Sequence, residues 1–414
     1  EGQGDAERAL AAMKDASRYT RGHLSRDAVR ALYGGAVTLS ASRMDMARSC
    51  HFAYFMRYGL KARERTGAGF DAPQIGTFVH DVMEHTLRQA KECGGLHTLS
   101  KDKLHALVRA SIEEYIDRVL PDLCEKSARF RYLFNRLCAT VERIMDEVSE
   151  ELQSSDFEPL AFELEFGADG QLPAITIREE NGTARVVGKV DRVDGWLHDG
   201  KLYLRVVDYK TGKKSFDLAE LRYGLGLQML LYLFTLKEEG QMLFGGHEIV
   251  PAGVLYTPAR EPMLRCARDT EPEKIEKALK KELRRSGMVL EDPAVLQAME
   301  HSALESPCYL PIAVKRDGAV TGSLASAEQL GKLSKYVDHI LHEITREVFA
   351  GNIDADPYAR TPQQSACTYC EFASACHFEN GCGSDRMEYI KATKNDEFWQ
   401  YIDEVNGEGA HENG

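Results

Sequence analysis

Two short runs concentrate reactive side chains: Gly188-Lys189-Val190-Asp191 and Asp208-Tyr209-Lys210. Hydrolysis of a phosphodiester needs an ordered water, a Lewis acid to polarise the phosphate and help for the leaving oxygen. Mg2+ takes oxygen ligands in octahedral geometry and draws only a few of them from carboxylates. Asp191 and Asp208, on neighbouring strands, suit such an ion. Lys210 follows Asp208 by two residues, so both side chains leave the same strand face. There the ammonium can position the attacking water or stabilise charge developing on the phosphate. The Tyr209 side chain points the other way, which leaves its backbone carbonyl as a further metal ligand. A lone Asp-x-Lys more often just ends a strand, and the preceding Gly-x-x-Asp is what favours a site. Asp194 lies across the strand from Asp191 and reads as a structural salt-bridge partner.

A second chemistry resides in Cys367-x2-Cys370-x5-Cys376, with Cys50 more than three hundred residues upstream. Four thiolates suit either tetrahedral Zn2+ or an iron–sulfur cluster, and spacing does not decide between them. Either group would staple a helix near residue 50 to the C-terminal segment. Loss of a ligand should then unfold the clasp, because metal affinity is coupled to folding. Cys93, Cys124, Cys138, Cys266, Cys308 and Cys382 are scattered and read as thiols without a role, with Cys382 the alternative to Cys50.

Ten cysteines without an apolar signal segment in the first thirty residues point to a reducing compartment, the cytoplasm. No apolar run approaches the ~18–20 residues that cross a bilayer, so no membrane partner is expected. A net charge of −13 argues against non-specific nucleic-acid binding, although a local basic groove can coexist with it. Lys213, Lys214, Arg222 and Arg260 are candidates for tracking phosphates, with ordinary solvated surface as the alternative. The chain has no G-x-x-x-x-G-K-[ST] phosphate loop, so ATP hydrolysis by this chain alone is not expected.

The elements that must hold these groups follow from periodicity. Residues 5–33 read as one helix ended by Gly34-Gly35. A helix over 43–58, capped by Ser40 or Ser42, carries Cys50. Residues 61–75 read as a loop, and a helix over 76–92 carries His80 and, one turn on, Glu84. Residues 100–153 are helical, without a strand pattern. Strict alternation at 162–166, then 184–193 and 202–209, gives three strands in an antiparallel meander. An apolar helix over 217–236 presents Gln228 and Tyr232 on one face, where they either reach a phosphate or the catalytic water or simply pack on the sheet. A strand over 250–256, a charged helix over 272–285, an amphipathic helix over 325–349 and an acidic tail over 403–414 complete the chain. Without the helical insertion the order is αβββαβ, an α/β fold with a mixed sheet and helices on both faces. The expected division is a helical lead-in at 1–35, a first-Cys helix and loop at 36–75, and a core at 76–258 with an insertion at 96–155. A helical extension at 259–356, the cysteine cluster at 357–382 and a helix with its tail at 383–414 follow.

Together these motifs resemble the PD-(D/E)XK superfamily and, within it, the RecB-like nucleases. The residues are Gly76-x3-His80, Gly188 to Asp194, Asp208-Tyr209-Lys210-Thr211-Gly212 and Gly226-Leu227-Gln228-x3-Tyr232. A closer resemblance, over most of residues 36–380, is to the nuclease region of the AddB component of AddAB helicase–nucleases. It rests on Ser40-x-Ser42-Arg43, the run from Cys50 to Phe55, Tyr58-Gly59-Leu60, Pro251-Ala252-Gly253 and Cys367-Thr368-Tyr369-Cys370. The resemblance implies a restriction-endonuclease-like αβββαβ core and a catalytic Mg2+ or Mn2+ on His80, Asp191 and Asp208. Lys210 would be catalytic, and Gln228 and Tyr232 match the motif that follows it. Cys50, Cys367, Cys370 and Cys376 would hold a [4Fe–4S] cluster.

The implied activity is that of a DNA exonuclease in recombinational repair of double-strand breaks. It would degrade the 5′-ended strand of duplex ends, fed by an AddA-like helicase–nuclease subunit. His51 departs from the pattern, where Pro is expected, and Thr211 replaces the commoner Ser. A freestanding RecB-like iron–sulfur nuclease of CRISPR adaptation shares the cysteine layout but is usually much shorter. A non-catalytic DNA-end-binding scaffold is the third reading, against which the intact Asp–Asp–Lys set argues.

Overall fold

Strands β1 (Glu158–Phe166), β2 (Gly188–His198), β3 (Lys201–Lys210), β4 (Glu248–Pro258), β5 (Ser286–Leu290) and β6 (Leu324–Ala325) lie side by side in chain order in one sheet. The computed structural model describes residues 2–16, 20–63, 72–167 and 170–407. β1, β2 and β3 form an antiparallel meander, β4 runs parallel to β3, β5 is antiparallel to β4, and β6 is parallel to β5. Asp199 (φ +48°) and Gly200 (φ +77°) close the β2–β3 hairpin. Both central residues of such a two-residue turn need the left-handed region, which Asp-Gly supplies. β3 buries Leu202, Leu204, Val206, Val207 and Tyr209, the near-continuous apolar run of a central strand covered on both faces.

The parallel step from β3 to β4 requires a crossover. Helices Leu218–Arg222 and Gln228–Glu239 provide it, and the second packs on β3 and β4. Helix Ala72–Glu92 precedes β1, so the αβββαβ order stands. The insertion is helical, as expected: Lys101–Val119 and Ala128–Gln153, N-capped by Ser100 and Ser127, pack with Ala72–Glu92. No helix among the described residues is long and apolar enough to cross a membrane.

Several elements differ from expectation, each for a local reason. The strand expected over 184–193 is two. Gly182–Val186 joins a separate small sheet with Ala36–Leu39 and Ile175–Glu179, and the chain changes sheets at Val187 before entering β2. The helix expected over 217–236 is broken at Gly224 (φ +73°) and Gly226 (φ +67°). The helix expected over 43–58 stops at Cys50, whose backbone is extended (φ −174°, ψ 121°), and resumes as His51–Tyr54 and a π-turn at Phe55–Gly59. The helix expected over 5–33 is Gly2–Ala16 and Arg26–Tyr33, the second restarted by its Ser25 N-cap. β5 and β6 were not anticipated: the β5 sequence, Ser-Gly-Met-Val-Leu, is too short to show a period.

Candidate metal and catalytic centre

The β2–β3 ladder pairs Val193 with Val206 and Arg192 with Val207. The next residues beyond that pair are Asp191 and Asp208, close enough for the charge of Asp191 to act on Asp208. Asp191 Oδ2 accepts the Tyr209 N–H at 2.8 Å. His80, midway along helix Ala72–Glu92, places Nε2 at 2.9 Å from the Tyr209 carbonyl and Nδ1 at 3.3 Å from Asp191 Oδ1. The peptide of Tyr209 is therefore gripped on both sides. The carbonyl expected to face a metal here meets the His80 ring. Lys210 Nζ lies 2.7 Å from Asp208 Oδ2.

Glu163, not anticipated from the sequence, completes the group. The β1–β2 ladder pairs Phe162 with Arg192 and Leu164 with Val190. Between them Glu163 takes φ +49°, a left-handed conformation that costs a non-glycine residue about 1 kcal/mol or more. Its Oε1 lies 3.9 Å from His80 Nδ1 and its Oε2 2.6 Å from Lys189 Nζ. His80, Glu163 and Asp191 each offer an atom within 4.8 Å of the others. One imidazole and two carboxylates fit a small divalent cation of the Mg2+ or Mn2+ kind.

Charge is strained here in a way that such a cation would relieve. Burial, then the charge of Asp191, pushes Asp208 up to about 6, against the pull of Lys210 and His80. Burial opposes a charged His80, but the hydrogen bond and charge of Asp191 and the Tyr209 carbonyl outweigh it and lift the ring to about 9. Burial also raises Glu163, with Lys189 pulling the other way. Gln228 Nε2 donates to the Tyr232 hydroxyl at 3.0 Å. A Cβ on Gly188 would sit 2.5 Å from both Phe166 Cζ and Tyr232 Cε1, so the glycine of Gly-x-x-Asp lets Tyr232 close over the end of β2.

The PD-(D/E)XK nuclease superfamily model matches residues 38–377. The chain belongs to the PD-(D/E)XK nuclease superfamily. The second, or B-type, component of the ATP-dependent helicase/deoxyribonuclease of Ruminiclostridium cellulolyticum is 30% identical over 410 residues, covering 98% of this chain and 35% of the relative. The same-named components from Acetivibrio thermocellus and Thermoanaerobacter sp. are 33% identical over 383 residues and 31% over 386, each match covering 92% of this chain and 33% of the relative. The chain thus spans about a third of the length of these curated relatives.

Around this PD-(D/E)XK centre the other expected residues fall in three places. Asp194 is fully buried on the opposite face of β2, between Arg192 (2.8 Å) and Arg205 (2.9 Å). The basic residues proposed to track phosphates are engaged within the fold. Lys213 and Arg260 share Glu282 at 3.2 and 2.8 Å, Lys214 lies 3.6 Å from Glu220, and Arg222 stacks over Tyr401.

Cys50, Cys367, Cys370 and Cys376 together line a cavity of about 640 Å³, and Cys382 is not in its wall. None of them is in a disulfide. Burial pushes Cys50 up to about 12 and raises Cys367 and Cys376. The walls are held by contacts of their own. The His51 N–H donates to Asp356 Oδ1 at 2.9 Å, the His51 ring bridges Asp356 and Glu347, and the Phe52 N–H donates to the Asp354 carbonyl at 2.9 Å. Arg21 pairs with Asp385 and donates to the Cys376 carbonyl.

Proposed function

We propose that this chain is the nuclease region of a helicase–nuclease component, hydrolysing phosphodiesters of one DNA strand at duplex ends during recombinational break repair. The carrying observation is the convergence of His80, Glu163 and Asp191 with the Asp208–Lys210 pair on adjacent strands. The relatives are named as parts of an ATP-dependent helicase/deoxyribonuclease. That name supports DNA as substrate and an AddA-like protein as partner, and the cytoplasm as compartment follows the cysteine-rich sequence. The 5′-ended polarity follows the family resemblance.

His80, Asp191 and Asp208, together with Glu163, would hold Mg2+ or Mn2+. When bound, the ion supplies Lewis-acid polarisation of the phosphate and lowers the pKa of a water. Asp191 does two things at once: it offers one oxygen to the group and fixes the Tyr209 peptide with the other. Lys210, held by Asp208, presents its ammonium on the same face to stabilise charge on the phosphate. Gln228 and Tyr232, tied to each other, orient the strand or the water.

Cys50, Cys367, Cys370 and Cys376 would hold the [4Fe–4S] cluster. Four thiolates suit that cluster or Zn2+, and the family resemblance favours the cluster. Iron content and visible absorption of anaerobically purified protein check this.

Asp208→Ala tests the nuclease reading. Cleavage of end-labelled DNA in Mg2+ is expected to fall by at least about a thousandfold, with DNA binding retained. Undiminished cleavage would overturn the assignment, and wild-type protein that binds without cleaving would favour a scaffold.

A further inference from the structure

The Ser40-x-Ser42 motif plays no part in the centre described above, yet it lies beside it. A cavity of about 670 Å³ is walled by Ser40, Ser42, Gly188, Lys189, Gln228 and Tyr232. Lys189 precedes Asp191 by two residues, so it leaves the same face of β2. Its ammonium reaches Glu163 at 2.6 Å, which ties the cavity wall to the acidic group. Lys189 is the cavity's one cation among the described residues. Helix Ala41–Ser49 begins at the wall. Its N-cap, Ser40, makes no side-chain capping bond, and the Ser40 hydroxyl turns to the Ser42 hydroxyl at 3.1 Å. The first-turn N–H groups of a helix have no partner within it and favour an anion.

Two carboxylates also line the cavity, and neither dominates it. Asp45 Oδ1 is taken by the Gly226 N–H at 2.9 Å, and burial raises this carboxyl's pKa. Glu165 is exposed at the rim, 3.6 Å from Lys189 Nζ. The volume is that of a small-ligand pocket and suits one unpaired nucleotide rather than a duplex.

We propose that this cavity is the subsite for the nucleotide adjoining the scissile phosphodiester of a single polynucleotide strand. The strand's backbone phosphate is met by Lys189 Nζ, the Ser40 and Ser42 hydroxyls and the first turn of helix Ala41–Ser49. The inference rests on the nuclease reading and deepens it by naming how the strand is held.

The test uses the 414-residue chain and a fluorescein-labelled oligo-dT strand. Binding is followed by anisotropy in the Asp208→Ala background, so that the strand survives. Lys189→Gln is expected to weaken binding about tenfold at moderate salt and to lower the slope of log K against log salt by about 0.7, one phosphate contact on a single strand. Lys189→Arg, which keeps the charge, should restore both. The double substitution Ser40→Ala/Ser42→Ala should weaken binding about threefold and leave the slope unchanged, since hydroxyls carry no counterion. In the cleaving chain, Lys189→Gln should raise KM about tenfold with kcat changed less than about threefold.

Unchanged affinity and slope in these variants would overturn the subsite, as would a fall in kcat at constant KM. If the wild-type chain cleaves nothing while the Lys189-dependent slope persists, the nuclease reading fails, and the cavity holds a strand without adjoining a scissile bond. If cleavage is intact while KM and slope ignore Lys189 and both serines, the subsite fails alone.

Discussion

At the scale of single residues, protons and metal compete for the same atoms. His80 is lifted to about 9 and Asp208 to about 6, so near neutrality the imidazole is charged and the carboxylate partly protonated. A divalent cation requires both to be deprotonated. Its affinity should therefore rise with pH, about tenfold per unit between roughly 6 and 9 as His80 gives up its proton, and more steeply below 6. Calorimetric titration with Mn2+ across that range measures it, and a pH-independent affinity would remove His80 from the ligand set.

Two-residue periodicity puts Asp208 and Lys210 on one strand face, where they pair, and the preceding Gly-x-x-Asp with the family resemblance singled out Asp191 beside them. Glu163 was not. It lies in an alternating run between buried Phe162 and Leu164, where any glutamate reads as solvent-facing, and its left-handed backbone leaves no mark on residue type. Lys189 was quoted within the motif without a role, since nothing local reveals that Glu163 waits opposite.

At the scale of elements, the insertion is more than decoration. Helix Ala128–Gln153 sends Glu151 into the sheet, where it meets Arg285 at 2.6 Å and Arg205 at 3.4 Å. Arg192 and Arg205 flank Asp194, and Arg192 Nη1 donates to the Tyr209 hydroxyl at 2.6 Å. This layer braces, from behind, the residue whose peptide joins His80 to Asp191. Burial works against a charged Glu151, yet Arg285, Arg205 and Arg192 hold it down at about 2. Removing one member of such a network strands the others. Glu151→Ala should cost about 3–5 kcal/mol in urea unfolding, and loss of less than about 1 kcal/mol would mean the arginines find other partners. The insertion's helices were readable from their period. Their electrostatic role was not, because pairing between residues so distant in sequence has no local signature.

At the scale of the whole molecule, N-terminal and C-terminal segments meet around the cysteine cavity through His51, the residue that departs from the family pattern. Burial opposes its charge, but Asp356 and Glu347 raise it to about 10. A folded-state pKa above the unfolded value of about 6.5 stabilises the fold fully below that pH, and the contribution fades as pH climbs through about 10. His51→Gln should therefore be destabilised by a few kcal/mol at pH 6 and match the wild type near pH 10. Melting temperatures at pH 6, 8 and 10 decide this, and a constant gap would mean that the ring acts by packing alone. The sequence pointed to Cys50, Cys367, Cys370 and Cys376, and these four line one cavity. It did not show that ion pairs from Arg21, His51 and Arg57 draw the same segments together.

That closure has a consequence in time. Cys50 leaves the ribosome more than three hundred residues before Cys376, and at roughly 5–20 residues per second its thiol waits about 15–65 s for its partners. Everything between them has by then been translated, so any group held by all four thiols can be enclosed only after Cys376 emerges.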